Sequence, residues 1–128
     1  MRSKFSADWN SSKKTRKQRK FRHNAPLHIK RRFLSSPLSK ELRKKYSKRN
    51  IIIRKGDKVK ITRGKFNEKN GSVEEVSIRK SRIYVTGAEF TKKDGTKARV
   101  ALDASKVMIT ELNLSDKKRK EILERKNE

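Results

Sequence analysis

The chain has 128 residues, with 39 Lys or Arg against 14 Asp or Glu and a formal net charge of +25 at pH 7, an excess beyond what solubility needs that points to a polyanionic partner. Only 30% of residues are hydrophobic while 41% are charged, too few apolar groups for a core along the whole length, so part of the chain must do without one. Cysteine is absent, which excludes disulfides, thiolate catalysis and cysteine zinc fingers, and no apolar run is long enough for a membrane span or a secretory signal, so a soluble intracellular protein is expected.

The charge is uneven. Residues 1–50 carry 18 Lys or Arg against Asp8 and Glu41, and residues 51–128 carry 21 against 12, so an arm precedes a domain. In residues 1–35 the cations Lys13, Lys14, Arg16, Lys17, Arg19, Lys20, Arg22, Lys30, Arg31 and Arg32, with His23 and His28, are interleaved with Trp9, Phe21 and Phe33. Such a segment buries too little apolar surface to offset its ordering entropy and is expected to be largely disordered alone. Against RNA it has what is needed, because guanidinium forks suit phosphates and aromatic faces suit unpaired bases. The octamer KKTRKQRK by itself equally suits a nuclear localisation tract or plain solvated charge. Asn24, just before Ala25-Pro26, is placed to cap a short helix through Ile29 and Leu34. His23 and His28 have no carboxylate or thiol beside them, so phosphate or base contact, or plain exposure, is expected rather than a metal site.

Residues 36–49 predict a short amphipathic helix, with Ser36 as cap, Pro37 at the first position and Leu38, Leu42 and Tyr46 four apart on one stripe. That stripe is expected to dock on the following domain or on a neighbouring protein, with Tyr46 packing rather than stacking on a base.

From residue 50 the pattern turns to strands. Val59 and Ile61 alternate with Lys58 and Lys60, and Arg63-Gly64 stops the run. The chain is expected to turn back at Asn70-Gly71 into a strand with Val73, Val76 and Ile78. The spacing of three between Val73 and Val76 requires a β-bulge at Glu74-Glu75. After a turn at Arg79–Arg82, Ile83 and Val85 form a third strand, and burying one face of so short a meander calls for a small barrel with Val59, Ile61, Val73 and Val85 in its core. Gly56-Asp57-x-Val59-x-Ile61-x-x-Gly64-Lys65 followed by Gly71-x-Val73-x-x-Val76 resembles the KOW motif of ribosomal proteins and transcription elongation factors. The resemblance implies an SH3-like barrel whose first loop, here Arg63 to Asn70, meets RNA; Asn67 and Glu68 stand where the motif carries glycine. Arg54, Lys55, Arg63, Gly64, Lys65, Arg79, Lys80 and Arg82 are the candidate RNA-binding residues of the barrel, with loop and turn forming one face continuous with the arm. Asp57, in its Gly-Asp pair, is expected to stabilise a turn rather than to act as a catalytic acid.

Glu89–Thr91 and Lys97–Leu102 predict a hairpin across Lys93-Asp94-Gly95-Thr96, and Val107–Ile109 a last strand ending the barrel at residue 112. Residues 113–128 predict a C-terminal helix, capped by Ser115 and running from Asp116 to Lys126. Its only apolar residues are Ile122 and Leu123, so it needs a partner surface to stay helical.

The runs RKQRKF, NAPLHIK, SSPLSKELRKKY and SKVMITELNLSDKKRKEILERK resemble the archaeal and eukaryotic form of large-subunit ribosomal protein twenty-four, numbered twenty-six in eukaryotes. The Gly56-Asp57 pair and the end at Glu128 lean toward an archaeal member. The resemblance implies a structural protein of the large subunit that binds the 5′ domain of its RNA early in assembly, near the mouth of the peptide exit tunnel, with neighbouring ribosomal proteins as further partners. It also implies a cytoplasmic ribosome, with nucleolar assembly in a eukaryote. No enzyme activity, cofactor, metal, small-molecule substrate or homo-oligomer is expected. The rivals are a KOW-type transcription elongation accessory factor, which would carry a further acidic or polymerase-binding domain, and a basic DNA-compacting protein, which composition alone permits.

Overall fold

The computed structural model describes residues 5–9 and 12–125. The short helices expected in the basic extension are α1 (Thr15–Asn24) and α2 (Leu27–Arg32), parted at Ala25-Pro26, where proline cannot continue the hydrogen-bond ladder. Asn24 ends α1 instead of capping α2: Pro26 holds the capping position in extended geometry, and the helix stops before Leu34. Neither helix buries a residue, in keeping with the shortage of apolar side chains.

The helix predicted from Ser36 starts later. Ser35–Pro37 is instead strand β1, paired antiparallel with β2 (Asn50–Ile52), and α3 covers only Lys40–Tyr46 between them. The Ser36 hydroxyl is buried and donates to the Ala104 carbonyl at 2.7 Å, a partner 68 positions away, and Pro37 is tolerated on so short an edge strand. The cap is Ser39, whose Oγ accepts from the Leu42 N–H at 3.4 Å. The predicted stripe still docks: Leu38 is fully buried, and Leu42 and Tyr46 pack against the core.

Four strands, β3 (Lys58–Ile61), β4 (Asn70–Ser77), β5 (Arg82–Val85) and, after the hairpin β6 (Glu89–Thr91) and β7 (Lys97–Arg99), β8 (Val107–Glu111), build the central sheet in the order β5-β4-β3-β8. Val59, Ile61, Val73 and Val85 all face its buried side. The register slips between Val73 and Glu75, the bulge that the three-residue spacing required, and the extra twist helps the sheet curl. Both edges are then covered. Ile83 and Leu102 exchange two backbone hydrogen bonds of 2.9 Å beside β5, and Leu38-Ser39 joins β8 through the Ser39 N–H and Ile109 carbonyl at 2.9 Å. The result is a small antiparallel barrel flanked by short helices, with no free sheet edge to recruit another chain there.

The turn between β3 and β4 differs from expectation. Asn70 already pairs with Lys60, and the positive φ angles fall on Gly64 (97°) and Glu68 (69°). Glu68, one of the two residues standing where the motif carries glycine, thus adopts the left-handed backbone, and its carboxylate reaches Lys60 at 2.6 Å. Gly71 is needed for another reason: a Cβ there would lie 2.5 Å from the Thr86 carbonyl oxygen, so a side chain would push β4 off the chain beside it.

Helix α4 (Lys117–Glu124) is capped by Asp116, which accepts from the Lys118 N–H at 3.0 Å, one residue beyond the Ser115 expected; Lys126, the predicted end, lies outside the described residues. The partner surface it requires is the barrel itself. Leu123 and Arg119 are each 2% exposed, and the Arg119 guanidinium meets the Asp57 carboxylate as a fork, both contacts at 2.6 Å. Asp57 also accepts the Arg54 and Asn113 N–H groups at 2.9 Å, so its turn-stabilising role stands and a buried ion pair is added to it. Beside it Arg54 binds Asp116, holding that carboxyl below the usual range, an effect aided by the Lys118 N–H.

Removing one member of a buried pair leaves the other charged and dry, at a cost of roughly 3–5 kcal/mol. Asp57→Asn and Arg119→Met should each lower the urea midpoint by that equivalent, while the double variant Asp57→Leu with Arg119→Met should recover a substantial part. Singles that unfold with the parent would show that the pair does not clamp α4.

Candidate nucleic-acid interface

The candidate residues fall into three groups. The first joins arm to barrel. Arg19, Arg22 and His23 of α1, Lys30 of α2 and Arg79, Lys80 and Arg82 from the turn between β4 and β5 line one cleft of about 280 Å³. The Lys30 ammonium donates to the Arg79 carbonyl at 3.5 Å, which ties α2 to the turn. Asp103 is the one carboxylate in this lining, and it is already bound to Arg82. Arg82 keeps further N–H donors, since a guanidinium carries five. The cleft therefore presents cations from elements at least 49 positions apart with little internal compensation, the electrostatics that phosphate binding needs. The remaining arm residues, Lys13, Lys14, Arg16, Lys17, Lys20, His28 and Arg32, are exposed and have no acidic partner among the described residues.

The second group is the loop after β3. Arg63 donates to the Ser105 carbonyl at 2.7 Å, Lys65 is exposed, and Phe66 anchors the loop in the core. Gly64 has open space where a Cβ would stand, leaving its backbone approachable. In a flat meander this loop and the turn at residues 79–82 would lie at opposite ends. Here barrel closure routes the chain from Leu102 to β8 between them, so Arg82 grips Asp103 while Arg63 grips Ser105, two residues and at most about 7 Å apart.

Arg54 and Lys55 form the third group, which is not part of the lining of the first. They line a separate cavity with Arg31, and Arg54 is engaged by Asp116.

The aromatics of the arm stand differently from the sequence reading, which assigned them to unpaired bases. Trp9 stacks on Phe21 with centroids 4.6 Å apart, Phe5 lies 4.9 Å from Phe21, and Phe33 is 6.1 Å away with Arg22 over its ring at 5.4 Å. They pack on one another and give the arm a small apolar centre of its own. Residues that sequence reasoning missed are Asp103, which orients Arg82, and Arg119. Neither carries a local signal, because each meets its partner only after the barrel closes. Among the described residues no group of three His, Cys, Asp or Glu is placed to hold a metal, and no helix is long and apolar enough to cross a membrane.

Residues 12–126 match the model of a family described as the ribosomal proteins numbered L26 in eukaryotes and twenty-four, with the suffix P, in archaea. The chain is 43% identical over 121 residues to the large ribosomal subunit protein uL24 of Nanoarchaeum equitans, covering 94% of this chain and 81% of that protein. It is 47% identical over 73 residues to the protein of the same name from Methanocorpusculum labreanum, covering 57% of this chain and 60% of the other.

Trp9 is the only tryptophan, so its fluorescence reports the aromatic cluster. Phe21→Ala should shift its emission to the red and reduce the helical signal of the arm without altering the unfolding midpoint of the barrel. An unshifted spectrum would mean that the stack does not form in solution.

Proposed function

The chain belongs to the family of ribosomal proteins numbered L26 in eukaryotes and twenty-four in archaea, a structural and non-enzymatic kind of protein, and from that premise we propose that it binds large-subunit ribosomal RNA through the cleft between its arm and its barrel. The observation that carries this reading is the joint lining of one cleft by Arg19, Arg22, Lys30, Arg79, Lys80 and Arg82 with a single carboxylate. Phosphates from one compact RNA segment match that geometry, since cations fixed on three elements read the spacing of a folded backbone rather than the sequence of its bases. Residues 1–35 act as the RNA-binding extension, the segment of residues 36–49 anchors it, and the barrel of residues 50–112 with its C-terminal helix supplies a rigid base. The Arg63–Lys65 loop extends the same face. The family resemblance adds the finer reading: contact with the 5′ domain early in assembly, a place near the mouth of the exit tunnel, ribosomal proteins as neighbours, and no homo-oligomer. Transcription and DNA-compaction roles receive no support from the relatives named above.

The test compares the salt dependence of binding to a 5′-domain RNA fragment for three forms: the parent, a form lacking residues 1–24, and Arg79→Ala with Lys80→Ala. Each lost phosphate contact should flatten the slope of log affinity against log salt by roughly 0.7–0.9, so the double substitution should remove about 1.4–1.8. Duplex DNA at equal salt should compete poorly. Unchanged slopes in both altered forms, or preference for the duplex, would falsify the proposal.

A further inference from the structure

A second cavity, of about 410 Å³, is lined by residues that the cleft does not share. Leu34, Val76 and Ile78 give it apolar walls, Arg31 and Lys55 stand at it exposed, and Arg119 forms part of its buried side. Both Nη atoms of Arg119 are committed, to Asp57 at 2.6 Å, to the Asn113 carbonyl at 2.9 Å and to the Ile52 carbonyl at 3.3 Å. Its Nε–H is not. Among the described residues it is the one buried side-chain polar atom with no hydrogen-bond partner, a condition that is costly unless an acceptor arrives.

We infer that this cavity receives one unstacked RNA base, whose ring faces the apolar walls, whose carbonyl oxygen or ring nitrogen accepts the Arg119 Nε–H, and whose phosphate lies between Arg31 and Lys55. The inference rests on the RNA-binding reading above and names the part of the RNA that this second site takes. Size and charge select the occupant. A single water takes up about 30 Å³ and would leave the apolar walls wet, while a free phosphate has no use for them. An apolar side chain of a neighbouring protein would leave the Nε–H unpaired and two cations uncompensated, because Arg54 is neutralised by Asp116 and Arg119 by Asp57, but Arg31 and Lys55 by nothing acidic among the described residues. Ile78, 39% exposed, is an apolar face at the surface on which a base can lie. Every base offers an acceptor in the plane of its ring, so the site selects an extruded nucleotide without selecting its identity.

The Arg119 Nε–H should give its own proton–nitrogen signal, distinguished by slow exchange with solvent because the group is buried. With the full chain labelled on arginine and backbone nitrogen, titration with uridine 5′-monophosphate should move that signal downfield and slow its exchange. Inorganic phosphate should shift only signals of Arg31, Lys55 and the arm. Ile78→Asp, a surface change, should weaken the nucleotide's effect by about tenfold, the scale of one base-stacking contact. If nucleotide and the 5′-domain RNA fragment move the amides of α1 and α2 but never the Arg119 signal, RNA binding stands and the base pocket falls. A shift of equal size with phosphate alone, or one produced by an acetylated apolar tetrapeptide and not by the nucleotide, overturns it in favour of an anion site or a protein contact. No response anywhere to the RNA fragment overturns both readings together.

Discussion

The fold leans on a carboxylate with no exposure. Asp57 has about four acceptor sites, and each is used: Oδ1 takes the Asn113 N–H and one arm of the Arg119 fork, Oδ2 takes the Arg54 N–H and the other arm. Arg119 in turn reaches the Ile52 and Asn113 carbonyls. One pair of side chains thereby connects β2, the turn entering β3, the segment leaving β8 and α4. Desolvating two charges costs several kcal/mol per ion, and the attraction between them offsets this only when the remaining hydrogen bonds are made. Here all but one are. The pair is thus better regarded as a device for specifying where α4 docks than as a source of net stability, because an apolar substitute would pack the helix without fixing its position.

The same economy governs the surface. The salt bridges of the described residues lie between positions 54 and 119: Lys58 with Glu111, Lys60 with Glu68, Arg82 with Asp103, Arg99 with Glu74 and Glu75, Arg54 with Asp116, and the buried pair. Exposed pairs of this kind stabilise by about 0–1 kcal/mol each. Their larger effect is to commit these acids to cations of the barrel and its C-terminal helix rather than to the arm. The helices of the extension have no such partners, so the uncompensated field of this +25 chain is concentrated at α1 and α2 and reaches about one Debye length, 8–10 Å, into solvent.

What was legible in the sequence was whatever short-range chemistry decides. The alternation around Val59 and Ile61, the bulge implied by Val73 and Val76, and the Asp94-Gly95 hairpin all follow from periods and turn preferences within a few residues, and each is present. Misreadings arose where a distant partner outweighed a local signal. Ser36-Pro37 has the chemistry of a helix start, yet Ile51 and Ala104 draw it into a strand. Asn70-Gly71 has the chemistry of a turn, yet Lys60 pairs with Asn70 and the left-handed residue is Glu68. Of the site, the cationic residues were readable one by one. Their grouping was not, since the proximity of Arg63 to Arg82 is made by barrel closure, and the occupation of Trp9 and Phe21 by each other depends on how the arm folds back.

The buried pair also imposes an order in time. Asp57 leaves the peptidyl-transfer site 62 residues before Arg119, an interval of roughly 3–12 s at ordinary synthesis rates. Small barrels dominated by non-local contacts form in milliseconds to seconds, so β3, β4 and β5 have time to meet before the guanidinium that Asp57 requires has been made, while β8 emerges only just ahead of it. During that interval the carboxylate must stay hydrated, and the seam between β2, β3 and the chain after β8 cannot close dry around it. Closure of this seam therefore has to wait for α4, by which time the basic arm has long been made.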